Sequence, residues 1–118
     1  MTQERDFLKQ VVQLAQMYGW LATSVNKSAR QVHGRWISNL TGNAGEPDLR
    51  MVRPPRYICA ELKVGSRERN AKGHIAGGTY GLTAEQKRWH EALEKCPGVE
   101  VYTWTPGQLD EIERILRP

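Results

Sequence analysis

The 118-residue chain reads as one α/β domain, with a mixed four-stranded sheet flanked by helices in the order α-β-β-β-α-β-α. Three observations predict this class. Phe7, Leu8, Val11, Ala15 and Tyr18 recur at helical spacing near the start of the chain. Short runs at residues 20–25, 48–52 and 57–64 then follow one another with strand character. Finally, a strand–helix–strand unit spans Tyr57 to Trp104, and such a unit is parallel and right-handed. A chain of this length supports a single hydrophobic core.

Taken in order, the first helix spans Thr2 to Tyr18 and stops at Gly19. Residues 20–25, WLATSV, form the first strand. Residues 26–46 are polar, basic and interrupted by Gly, so a long loop is expected, with a short turn of helix around Trp36 to Leu40. Asp48 to Val52 is the second strand, and Pro54-Pro55 turns the chain into the third, Tyr57 to Val64. Residues 65–81 are Gly-rich and basic, which predicts a flexible excursion. Thr83-Ala-Glu-Gln86 is a capping box, opening a helix with Trp89, Ala92 and Leu93 on its apolar side and His90 on its exposed side. Cys96-Pro97-Gly98 ends that helix, and Val99 to Trp104 is the last strand. A second capping box, Thr105 to Gln108 with Pro at the first helical position, opens a final helix carrying Leu109, Ile112, Ile115 and Leu116 inward. The two strands before the parallel unit pair antiparallel, and helices cover both faces.

Composition narrows the function classes. The net charge of +4 favours an anionic partner, most often nucleic acid. Two cysteines, Cys59 and Cys96, are too few for a disulfide scaffold and fit free thiols in a reducing compartment. The N-terminus is charged, without an apolar signal core. No run approaches the ~20 apolar residues of a membrane span. A soluble, cytoplasmic protein is expected. No pair of histidines among His33, His74 and His90 has i, i+4 spacing, so a zinc site is not expected.

The chemistry concentrates in GEPDLRMVRPPRYICAELKVG, residues 45–65. In the strand YICAELKV, Tyr57, Cys59, Glu61 and Lys63 share one face and Ile58, Ala60, Leu62 and Val64 the other. With the turn centred between Pro54 and Pro55, Asp48 falls opposite Glu61 on the neighbouring strand. Like charges so placed are destabilising, and a divalent cation between them removes the objection. Mg²⁺ is commonly held by one or two carboxylates, with waters and substrate phosphate completing its shell. The alternative is that Asp48 caps a turn while Glu61 pairs with Lys63 or a loop arginine. Glu4 lies on the inward stripe of the first helix, where it either reaches toward this site or complements the helix dipole.

PD followed about a dozen residues later by AELK resembles the signature of the PD-(D/E)XK nucleases. The wider text is similar to their VRR-NUC branch: an early helix Glu, GW before the first strand, GEPDL, VRPPRYICAELK, LTAEQKRWHEAL and GVEVYTWTP. The likeness covers nearly the whole of residues 1–118, as one nuclease domain with a restriction-endonuclease-like core. It implies that Asp48, Glu61 and the Leu62 backbone carbonyl bind Mg²⁺ or Mn²⁺, with Glu4 assisting. It implies that Lys63 orients the attacking water and stabilises charge on the phosphate, and that Gln86 stands beside the site. Gln86 has a rival role as the capping-box partner of Thr83. The activity implied is a metal-dependent DNA endonuclease acting in recombination, repair or replication, on branched DNA such as Holliday junctions. Its setting would be the cytoplasm of a bacterium or phage-infected cell, and a homodimer would present two sites to two duplex arms. An exonuclease or nickase with the same site, or a binding module without catalysis, are the rival functions. The long basic segments at 26–46 and 65–81 depart from the family pattern and bear on substrate shape.

Three further groups complete the candidates. Cys59 reads as a small packing residue rather than a nucleophile. Trp36, Tyr80 and Trp104 either stack on bases or pack. Lys27, Arg30, Arg35, Arg67, Arg69 and Lys72 either grip DNA phosphates or are solvated loop charge. Replacing Arg67, Arg69 and Lys72 together with Ala is expected to weaken DNA binding and to flatten log K against log salt by up to roughly 0.9 per lost phosphate contact. Filter binding across a salt series checks this, and an unchanged slope assigns the charge to solvation.

Overall fold

The computed structural model describes residues 3–24, 29–32, 35–38, 42–64 and 81–118, the second and third of these segments by their backbone alone. The elements are α1 (Gln3–Met17), β1 (Leu21–Ser24), β2 (Ala29–Val32), β3 (Arg35–Ser38), β4 (Leu49–Arg53), β5 (Arg56–Leu62), α2 (Ala84–Glu94), β6 (Val99–Trp104) and α3 (Leu109–Leu116). Four strands form one sheet in the order β1-β4-β5-β6, antiparallel except for the parallel β5–β6 pair. The mixed α/β sheet expected from the sequence is therefore present.

One face of the sheet holds the core. Leu49 and Met51 of β4, Ile58, Ala60 and Leu62 of β5 and Trp104 of β6 pack with Phe7, Val11 and Ala15 of α1 and Ile112 and Leu116 of α3. Strand alternation sends Glu61 to the other face, where it meets α2 through Gln86. The sheet is thus sandwiched between α1 and α3 on one side and α2 on the other.

Two elements differ from expectation. Residues 26–46 are not one loop with a helical turn at Trp36–Leu40, because β2 and β3 pair antiparallel from Ala29↔Ser38 to Val32↔Arg35. The polar, basic composition of this stretch reads as loop and hides the pair. The last helix also starts later than expected. Pro106–Gln108 forms a 3₁₀ turn, with the Gln108 side chain accepting the Thr105 N–H at 2.9 Å, and α3 begins at Leu109.

The far end of the sheet fixes the register. α1 ends in a Schellman arrangement: Gly19 has φ +87°, Gly19 N–H reaches the Gln16 carbonyl and Trp20 N–H the Ala15 carbonyl, each at 3.0 Å. Trp20 then enters the core, and its Nε1–H donates to the Leu116 carbonyl at 2.8 Å. The guanidinium groups of Arg53 and Arg56 lie 4.7 and 5.1 Å from the Trp20 ring centre. Arg53 donates to the carbonyls of Tyr18 and Leu116, and Arg56 to that of Ile115. These carbonyls belong to helix ends, where backbone acceptors lack intrahelical partners. The two arginines flanking the cis Pro54–Pro55 turn are thereby tied to α1 and α3. β4 and β5 pair from Arg53↔Arg56 to Leu49↔Ala60, the register that the sequence predicts. A slip of one residue would turn every side chain of β5 to the wrong face.

Arg56 also forms a two-pronged ion pair with Glu100, at 2.7 and 2.8 Å, and Tyr102 donates to the same carboxylate at 2.8 Å. The Arg56 bonds hold the Glu100 carboxyl below the usual carboxylate range. Burial first, and Glu100 second, push the Tyr102 phenol up to about 12. Among the described residues no helix is long and apolar enough to cross a membrane. Arg56→Leu is expected to cost on the order of 1–3 kcal/mol at neutral pH. Because the folded Glu100 pKa is depressed, the pair contributes fully above the ordinary value of 4.5 and fades as pH falls through the lower folded value. Urea unfolding at pH 7 and pH 3 should show the gap between variant and parent narrowing in acid, while an equal gap at both pH values would deny the pair this role.

Candidate active site

The site lies where β4 and β5 part. Beyond Leu49↔Ala60 the next pair in register is Asp48 and Glu61. Pro47, which precedes Asp48, is fully buried and has no N–H to offer a ladder. The Asp48 carboxylate reaches across instead, and its Oδ2 accepts the Leu62 N–H at 2.9 Å. The end of the hairpin is thus held by a side chain, and Asp48 is fixed against the backbone of the strand that carries Glu61 and Lys63.

Glu61 is only 3% exposed. A carboxylate so buried is costly unless compensated, and α2 supplies the compensation. Gln86 Nε2 donates to Glu61 Oε2 at 3.0 Å. Lys63 Nζ donates to Gln86 Oε1 at 3.0 Å and stands 3.8 Å from Glu61 Oε2. Lys63 is the second residue along from Glu61 on the same face, so its ammonium lies at the mouth of the site while Glu61 sits deeper. Gln86 also serves the capping box. Its side-chain oxygen accepts the Thr83 N–H at 2.9 Å, and its own N–H donates to Thr83 Oγ1 at 3.1 Å. The two roles weighed for Gln86 are held at once by one amide.

The segment leading to Asp48 is seated on the same helix. Gly45 has φ +104°, and a Cβ there would stand 2.5 Å from the Glu85 carbonyl carbon and 2.8 Å from Gln86 N. Trp89 Nε1–H points to the carbonyls of Asn43 and Ala44, at 3.3 and 3.0 Å. The chain before Asp48 and the helix carrying Gln86 are therefore one packed unit.

α2 turns a different face inward from the one expected. His90 is 4% exposed, whereas Ala92 is exposed. With Gln86 facing Glu61, positions four and seven further on, His90 and Leu93, share that side of the helix. Ala92 falls roughly 120° away from Gln86 around the helix. Thr103, in register with Glu61 on β6, is also buried. Its Oγ1 has no hydrogen-bond partner among the described residues. His90, Thr103, Gly45 and Trp89 were not picked out as parts of the site, although the β5–β6 register and the G-E-P-D spacing carried the signal for Thr103 and Gly45.

The other candidates separate from this cluster. Glu4 is exposed in the first turn of α1. The last turn of α1 is tied to the Arg53 end, so Glu4 lies on the order of 20 Å back along the helix, toward the site's end of the sheet but on the α1 face. Among the described residues no hydrogen bond or ion pair joins Glu4 to the four groups above. Trp104 is 1% exposed and belongs to the core, out of reach of a base. The Cys59 thiol is buried beneath α2, and burial pushes its pKa up, which leaves it a protonated packing group. Lys27, Arg67, Arg69, Lys72, Tyr80, His33 and His74 lie outside the described residues, as do the side chains of Arg30, Arg35 and Trp36.

No group of three or more acidic, His or Cys side chains suited to a metal occurs among the described residues. Asp48 and Glu61 offer oxygen donors alone, the ligand type of a hard divalent cation completed by water and phosphate rather than of a zinc centre. Compared with models of known protein families, with curated proteins and with solved structures, the chain matches none.

Gly45→Ala is expected to disturb both the loop and α2, since a β-carbon meets backbone atoms and the left-handed φ costs a non-glycine residue roughly 1–2 kcal/mol. A lower melting temperature with shifted Gln86 side-chain amide resonances is the expected result. Unchanged resonances would mean that Gly45 does not help to place Gln86.

Proposed function

We propose that the protein is a divalent-metal-dependent DNA endonuclease of the PD-(D/E)XK type, similar to the VRR-NUC branch, with a restriction-endonuclease-like core. The observation that carries this reading is the convergence of Asp48, Glu61, Lys63 and Gln86 at the parting of β4 and β5, with Glu61 buried and Lys63 tethered beside it. A module that only binds nucleic acid has no use for a buried carboxylate next to a second carboxylate.

In this reading Asp48, Glu61 and the Leu62 carbonyl would hold Mg²⁺ or Mn²⁺, while Glu4, exposed in the first turn of α1, stands apart from them. The ion supplies neutralisation of the phosphate and activation of bound water. Lys63 holds the attacking water by hydrogen bonding and meets the negative charge that develops on the phosphate. Gln86 keeps the Lys63 ammonium over the site rather than in solvent. The substrate is DNA, branched DNA such as a four-way junction in particular. Lys27, Arg30, Arg35, Arg67, Arg69 and Lys72 contact its phosphates, and a homodimer makes the paired cuts.

Cleavage of plasmid, linear and four-way-junction DNA in Mg²⁺, Mn²⁺ or EDTA tests the reading. Asp48→Asn and Glu61→Gln are each expected to abolish cut product while the circular dichroism spectrum is kept. Lys63→Ala is expected to lower turnover on the order of 10²-fold or more with DNA affinity retained. Full activity of both carboxylate variants would overturn the site, and nicks or end-trimming without paired cuts would make the enzyme a nickase or exonuclease.

A further inference from the structure

The Gln86 amide makes three side-chain hydrogen bonds at the site. Its Oε1 accepts from Thr83 N and Lys63 Nζ, and its Nε2 donates to Glu61 Oε2. A backbone N–H and an ammonium are donors only, and an ionised carboxylate accepts only. Turning the amide over would set NH₂ against both donors and the carbonyl oxygen against the carboxylate, a mismatch at every contact. The orientation is therefore dictated by its neighbours. Thr83 is the neighbour that is not itself charged, and it holds Gln86 twice, through its N–H on the side-chain oxygen and through Oγ1 on the Gln86 N–H. Thr83 is exposed and adds nothing to the core, so its contribution lies in these two bonds.

We propose that Thr83 is a positioning residue for Lys63. By capping α2 it holds the Gln86 amide in the place and orientation from which Oε1 tethers the Lys63 ammonium and Nε2 meets Glu61. Lys63 has a flexible four-carbon stem, and without a fixed acceptor its ammonium would sample solvent. The N-cap thereby acts through Gln86 on the geometry of the reacting groups. This inference rests on the nuclease reading for its effect on rate, but its structural content stands apart from it.

Three variants separate positioning from mere helix stability. Thr83→Val removes the hydroxyl at nearly constant shape. Thr83→Ser restores an acceptor. Gln86→Glu keeps a favoured capping-box residue but replaces the donor to Glu61 with a carboxylate oxygen. At a temperature where circular dichroism shows each variant folded, Thr83→Val is expected to lower kcat roughly 10- to 100-fold with KM for DNA little changed. Thr83→Ser recovers most of that loss. Gln86→Glu loses kcat while its helix is retained. Side-chain ¹⁵N–¹H spectra supply a readout without catalysis: the Gln86 amide resonances shift and exchange faster in Thr83→Val and return in Thr83→Ser. Unchanged kcat with unshifted Gln86 resonances in Thr83→Val overturns the proposal, as does an equal loss in the Val and Ser variants. If the parent protein cleaves no DNA with any metal, the nuclease reading falls, and the Gln86 resonances alone decide the role of Thr83.

Discussion

A single side-chain amide joins the two charged groups at one end of this sheet. Glu61 is buried at the end of a central strand, where an uncompensated charge would cost several kcal/mol. Lys63 stands close enough to attract it, but the 3.8 Å separation is long for a direct hydrogen bond. Gln86 spans the gap, donating to one group and accepting from the other. Removing it would take away the hydrogen bonds that bridge this 3.8 Å ion pair. The position of α2 on the sheet, its N-cap and the packing of the Gly45 segment all converge on this amide. The site is therefore an arrangement of the α2–sheet interface and not of β5 alone.

The opposite end of the sheet does the complementary task. Strand register is a discrete choice, and a single slip would turn Glu61 and Lys63 into the apolar core and Leu62 toward α2. Arg53 and Arg56 clasp the Trp20 ring and the closing carbonyls of α3, which pins the Pro54–Pro55 turn. Asp48 and Glu61 then fall at the same count of residues from that turn, and Asp48 closes the end of the pair through the Leu62 N–H. Arg53 and Arg56 are thus the struts that hold the turn end of the hairpin against α1 and α3. The structure separates a bracing end, rich in satisfied helix-terminal carbonyls, from an opposite end, rich in compensated charge.

Much of this was legible in the chain. The apolar stripe of α1, the alternation of β5 and the paired prolines specify helix, face and register, because each follows from local geometry. The capping box at Thr83 was equally readable, but its side-chain partner across the interface was not, since Gln86 meets Lys63 only after α2 docks. His90 misled for a related reason: in an amphipathic count Trp89, Ala92 and Leu93 look like the inner face, yet the polar contact at Gln86 turns the helix so that His90 and Leu93 point in. The β2–β3 pair was obscured by its polar, basic composition, which reads as loop. Periodicity put Glu4 on the inward stripe of α1, yet it is exposed in the first turn, because a helical wheel carries no information on which turns are covered.

The central claim is that the parting of β4 and β5 is a cation site built by Asp48 and Glu61. Calorimetric titration of the DNA-free protein with Mn²⁺ tests it most directly. The account predicts one saturable site per chain that weakens sharply in Asp48→Asn and in Glu61→Gln and largely persists in Lys63→Ala. Mn²⁺ binding of equal strength in the parent and in both carboxylate variants would contradict it.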